Sequence, residues 1–161
     1  AGKPKYAAVE GDILALNQKA AALRARLEGL VEADAAAFAP LAKAYGIPKD
    51  DPDRPAVMAR ALEAAAAVPL EIMEACGEAI ALLEEYEAKG SVLAVSDAGC
   101  GAVFCRAALE AAGLNVAVNT RLMADRGRAA ALDARAEALR AEYLPRAEAV
   151  YAKVCHRLGG N

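Results

Sequence analysis

Between Ile13 and Tyr45 the apolar residues return in steps of three and four: Ile13, Leu16, Ala20, Leu23, Leu27, Leu30, Phe38, Leu41 and Tyr45. That spacing keeps one side of an α-helix apolar for about nine turns. A helix of that length cannot bury its own stripe, so it needs other helices to cover it. Gly46 supplies a stop, and Pro48 forbids continuation. One residue breaks the stripe. Asp34 stands between Leu30 and Phe38, on the side meant to face inward.

Three more helices follow. The turn-rich "PKDDPDRP" precedes one that Asp53 can cap, with Pro55 in its first turn. Its stripe reads Leu62, Ala66, Pro69, Ile72 or Met73, Cys76, Ile80 and Leu83, and it ends at Gly90. Pro69 removes a backbone donor and clashes with the carbonyl of Ala65, which predicts a kink. A third helix is expected from an N-cap at Ser96 to about Asp125, with Phe104, Ala108, Ala111 and Leu122 as its apolar stripe. The fourth runs from about Arg126 to Leu158, bent at Pro145, with Leu132, Leu139, Tyr143, Ala147, Val150, Val154 and Leu158 inward. "SVLAVS" is the one weak strand signal. The expected fold is all-α, a single-domain bundle of long, kinked, antiparallel helices. Aromatics are only 4 % of the 161 residues, so large side chains to fill a monomer core are scarce. A homodimer would bury more surface.

The bulk charge excludes some partners. A net charge of −3 gives no nucleic-acid footprint. No apolar run is expected to reach the length of a membrane span, so no membrane partner is expected. Cys76, Cys100, Cys105 and Cys155 fit neither a disulfide framework nor a zinc site. Cys76 and Cys100, among apolar neighbours, read as small core residues, and a reducing cytoplasmic compartment is the simplest setting. With one histidine, His156, a multi-histidine metal site is excluded; His156 reads as a surface residue.

Polar residues on the apolar stripes carry the chemistry or the packing. Asp34 is either an edge carboxylate, solvated or bonded to a neighbouring helix, or a functional acid or base. Asp97 is either a first-turn charge that suits the helix dipole or a catalyst. Asn115 and Asn119, one turn apart, either bond another helix or bind a flat polar ligand. Asp97 and Asn115 share an azimuth but lie about 27 Å apart along the axis. Antiparallel pairing of two copies would bring them together. Gly99, Gly101 and Gly113 admit either a ring or a tightly packed helix.

Five segments in order, "GKPKYAAVE", "VEADAAAFAPLAKAYGIPKDD", "AVPLEIMEAC", "AKGSVLAVSDAGCGA" and "AAGLNVAVN", resemble the cyclodeaminase/cyclohydrolase family of folate enzymes. "AYGIPKDD" and "KGSVLAVSDAG" look more like its cyclohydrolase branch. The resemblance implies a dimeric helical enzyme without a metal or other cofactor. It implies hydrolysis of 5,10-methenyltetrahydrofolate to 10-formyltetrahydrofolate. The alternatives are ammonia-releasing cyclisation of 5-formiminotetrahydrofolate and non-catalytic folate binding. It implies Asp34 and Asp97 as acid and base. Ser96, Asn115 and Asn119 would meet the pterin or the intermediate, and Lys5 and Lys49 would draw the glutamate carboxylates. Family members also carry a Gly-rich segment upstream, which residues 1–161 are expected to lack.

Overall fold

The computed structural model describes residues 8–159 of the chain. Four helices carry the fold: α1 (Glu10–Tyr45), α2 (Arg54–Lys89), α3 (Val95–Thr120) and α4 (Arg126–Gly159). "SVLAVS" forms no strand; a short 3-10 turn, Val92–Ala94, leads into α3. α2 is central and packs on the other three, and α3 also packs on α4.

Paired side chains fix the directions. Tyr86 on α2 donates to Asn17 on α1 at 2.7 Å, and Arg26 on α1 donates to Glu78 on α2 at 2.8 Å, so α1 and α2 run antiparallel. Asn119 bonds Ala65 while Gly101 faces Leu83, which sets α3 antiparallel to α2. Thr120 donates to Asp133 at 2.6 Å and Gly99 faces Val154, so α4 runs against α3 and therefore with α2.

On α1 the buried leucines Leu16, Leu23 and Leu30 recur every seven residues. A seven-residue seam is narrower than the expected stripe and suits coiling against one partner. It leaves Phe38 and Tyr45 about half exposed. Leu23 and Leu30 close a small cluster on Ala75; Leu41 and Ala44 join the main core with Leu62, Met73, Ile80, Leu109, Val116 and Val150. Alanines and glycines bring the helices close. A Cβ on Gly77 would lie 2.5 Å from the Tyr143 ring, so no other residue fits there without displacing it.

Several local expectations are corrected. Asp53 occupies the N-cap of α2 but makes no side-chain cap bond. Ser96 is not an N-cap, because the 3-10 turn hands over to α3 at Ala94 and puts Ser96 inside the helix. α3 ends at Thr120 rather than near Asp125, where Arg126 donates to the carbonyls of Thr120 (2.9 Å) and Met123 (3.2 Å). Cys100 is exposed, not a core residue; Cys76 is buried, and burial pushes its thiol up to about 11. Residues Val92–Thr120 are, against expectation, long and apolar enough to cross a membrane by length and composition. In the fold this segment is a bundle helix packed on α2 and α4.

The face of α3 is also corrected. Its inward residues are Val95, Ala98, Gly99, Ala102, Leu109, Ala112, Val116 and Thr120. The expected stripe is the outer one. Phe104 is 74 % exposed and Leu122 45 % exposed, and Ala108 and Ala111 are exposed as well. α3 is apolar nearly all round, so its composition points to no single inward side.

Between α2 and α4 runs a ladder of Glu–Arg pairs: Glu63–Arg128, Glu74–Arg135, Glu84–Arg146 and Glu87–Arg157. Glu63–Arg128 and Glu74–Arg135 lie toward solvent, where such pairs contribute about 0–1 kcal/mol each, while Glu84–Arg146 is part-buried and Glu87 is buried. Arg146 grips both oxygens of Glu84, at 2.9 and 2.7 Å, and lies over the Tyr143 ring at 4.7 Å. The hydrogen bond from Arg146 holds the Glu84 carboxyl below its ordinary range. A lowered folded-state pKa adds stability that is present above the unfolded value and lost as pH falls through the folded one. Glu84→Gln should therefore flatten the acid limb of a Tm-against-pH curve below the usual carboxylate range. An unchanged acid limb would remove Glu84 from that role.

Candidate functional site

The helix registers decide which of the expected site residues can meet. The α1–α2 pairs set Asp34 at the level of Leu70, and the α2–α3 pairs set Leu70 at the level of Asn115. Asp34, Asn115 and Asn119 therefore share one half of the bundle. Lys49 lies in the loop after α1, beyond the same half, and is exposed. Ser96 and Asp97 stand at the other end of α3. From the helical rise they are about 25 Å from the level of Asp34, so one chain does not join the two carboxylates. Lys5 lies outside the described residues.

The environments differ as much as the positions. Asp34 is half-buried and has no hydrogen-bond or ion-pair partner among the described residues. A half-desolvated carboxylate without a partner is available to a cation or a water proton. Asp97 and Asn115 are exposed, and Ser96 is half-buried.

Asn119 is the best-defined of the set. Its Nδ2 donates to Ala65 O at 3.0 Å and to Asn115 O at 2.9 Å. The first bond has a local cause. A helical carbonyl accepts from the amide four residues on, and four residues after Ala65 stands Pro69, which has no N–H. Ala65 is buried, so water does not reach it freely. Asn119 supplies the missing donor from the neighbouring helix. Pro40 and Pro145 also lie inside helices, but the residues four before them, Ala36 and Ala141, are exposed and their carbonyls can turn to solvent. The interhelical bond weighed for Asn119 is thus present, and it meets a need that Pro69 creates. The glycines resolve the same way: Gly99 faces Val154 and Gly101 faces Leu83, so both serve tight packing.

The sequence pattern missed two features. Thr120 is buried, and its hydroxyl donates to Asp133 on α4. A polar residue next to Asn119, at the helix end, was the available signal. Both phenylalanines of the chain, Phe38 and Phe104, are more than half exposed, with Leu114 70 % exposed beyond them on α3. The surface grooves are open and shallow; the one between α3 and α4, about 460 Å³, is lined by Arg106, Glu110, Glu148 and Tyr151 among others. Among the described residues no three His, Cys, Asp or Glu side chains are grouped to hold a metal ion.

Comparison with known proteins gives the chain's family. The formiminotransferase-cyclodeaminase family model matches residues 1–138. The chain is similar to a methenyltetrahydrofolate cyclohydrolase from Methylorubrum extorquens, 38 % identical over 129 residues, covering 78 % of this chain and 62 % of that protein. It is similar to a formimidoyltransferase-cyclodeaminase from Mus musculus, 32 % identical over 108 residues, covering 65 % of this chain and 20 % of that protein. A formiminotetrahydrofolate cyclodeaminase from Thermotoga maritima has the same fold, with a TM-score of 0.78 at 24 % identity, covering 99 % of this chain and 75 % of that one.

The contrast between Asn119 and Asp34 is measurable. Leaving a buried carbonyl without a donor costs about 1–3 kcal/mol. At a few degrees per kcal/mol for this size, Asn119→Ala should lower Tm by on the order of 5 °C. A Tm within a degree of the parent would mean that Ala65 does not depend on Asn119.

Proposed function

This chain belongs to the formiminotransferase-cyclodeaminase family, and on that premise we propose that it hydrolyses 5,10-methenyltetrahydrofolate to 10-formyltetrahydrofolate. The observation that carries the choice is the 38 % identity to a methenyltetrahydrofolate cyclohydrolase. The chain spans 62 % of that relative, so the reaction is assigned here by likeness and by the chemistry of its polar edge.

The substrate carbon bridges N5 and N10 as a cationic amidinium. Water adds to that carbon and loses one proton. The tetrahedral intermediate opens by breaking the C–N5 bond: the hydroxyl proton is given up, N5 gains one, and the carbon stays on N10 as a formyl group. A carboxylate serves this sequence twice, by stabilising the cation and by taking the proton from water. Asp34 suits both tasks because no protein group competes for it among the described residues. Asn115 and Asn119 would flank the pterin, and Lys49 would draw the glutamate tail. No metal or cofactor enters these steps. Ammonia-releasing cyclisation of 5-formiminotetrahydrofolate is the second reading, favoured by the mouse relative. It passes through a tetrahedral carbon between the same nitrogens.

A homodimer belongs to the same reading. The outer face of α3 has Ser96 and Asp97 at one end, Phe104, Ala108 and Ala111 in the middle, and Asn115 at the other end. Two copies paired antiparallel along this face would cover the apolar middle. They would also bring Asp97 of each copy toward the Asn115 end of its mate, closing the gap of about 25 Å that separates the carboxylates in one chain. The four free cysteines fit a reducing, cytoplasmic setting.

Two measurements bear on this reading. Loss of methenyltetrahydrofolate absorbance above the chemical background should be seen with the parent protein and fall about a hundredfold or more in Asp34→Asn, with Tm unchanged. Full activity in that variant would remove Asp34 from the site, and ammonia release from 5-formiminotetrahydrofolate in place of hydrolysis would favour the second reading. Sedimentation at micromolar concentration should give a dimer that Phe104→Asp converts to monomer. A monomeric parent protein would contradict the paired site.

A further inference from the structure

We propose that Pro69 fixes Asn119 as an acceptor-only contact, so that this position selects an N–H donor on the bound folate. The inference rests on the folate reading above and adds what one side chain recognises.

A side-chain amide has two N–H donors and one carbonyl acceptor. In Asn119 both donors are used inside the protein, on Ala65 O and Asn115 O. Both neighbours are carbonyls. The flipped amide would set its oxygen against two other oxygens, so the orientation is held in one sense. Pro69 is what makes this lock possible. With an ordinary residue at position 69, its N–H would close onto Ala65 O and compete with Asn119 for that carbonyl, weakening one of its two anchors. What remains is Oδ1, on a half-buried residue one turn from Asn115 and so about one turn from the level of Asp34. A group pinned this way accepts from a ligand N–H without first losing side-chain freedom, and it repels a ligand acceptor.

A reduced folate offers N–H donors at the 2-amino and N3 edge of the pterin, at N8 and N10, and at the amide that joins the benzoyl group to glutamate; the partner of Oδ1 is the first or the last. The shared chemistry is an N–H facing Oδ1, and the experiment separates the two sources. Equilibrium binding is measured for 5-formyltetrahydrofolate, for its 2-desamino analogue and for its N-methylated benzoyl-amide analogue. The proteins are the parent, Pro69→Ala and the Pro69→Ala/Asn119→Ala pair. Both variants restore the helical N–H to Ala65, so both keep its carbonyl satisfied. The parent should prefer 5-formyltetrahydrofolate over one of the two analogues by on the order of tenfold, the worth of one well-formed hydrogen bond. The analogue that loses affinity names the source. Pro69→Ala should shrink that preference, because Asn119 can then turn, and the paired variant should abolish it. A purely structural role would shift Tm and leave the preference intact.

Equal affinity of the parent for all three ligands overturns the inference and leaves the folate reading standing. So does a preference that survives in the paired variant. A parent protein that binds none of the three overturns the folate reading and this inference together.

Discussion

The carbonyl of Ala65 is the point on which the bundle's polar edge depends. Pro69 deprives it of its partner, and burial denies it free access to water. An unpaired buried carbonyl is a standing cost that a helix can escape by bending toward solvent or by borrowing a donor. Here the donor comes from α3, through Asn119. The consequence is a fixed register between α2 and α3. That register places Met73 against Gly113 and Leu83 against Gly101, and sets Asn115 at the level of Asp34.

Outside that bond the helices are held by small residues and leucine seams. Alanines and glycines allow close approach between α2, α3 and α4, while the Glu–Arg ladder fixes how α4 lies along α2. The same economy of large side chains leaves Phe38, Phe104 and Leu114 outside. A helix that is small-faced inward and apolar outward is suited to a second copy of the chain, and the polar residues at both ends of the α3 face give such a pairing something to build.

The four helices were legible because leucines alternate with charges on α1, α2 and α4, and Gly or Pro punctuates their ends. α3 was legible as a helix and misread as to its face. With Val95, Ala102, Leu109 and Val116 on one side and Phe104, Ala108 and Ala111 on another, periodicity has no direction to choose. Burial of one side was decided by the glycines at 99 and 101, which let Val154 and Leu83 come close. The site residues came from motifs rather than from spacing. The pattern did flag the clash of Pro69 with Ala65, yet it gave no route to Asn119, fifty-four residues away, which answers it. Only the fold joins the two.

That pairing is open to a direct thermodynamic test. Tm is measured for the parent, Pro69→Ala, Asn119→Ala and the double variant. If Asn119 serves the carbonyl that Pro69 frees, Asn119→Ala costs several degrees in the parent. It costs close to nothing in the Pro69→Ala background, where the helix's own N–H takes Ala65 O. Equal losses in the two backgrounds would show that the residues are uncoupled, and would contradict the account of why the polar edge stands where it does.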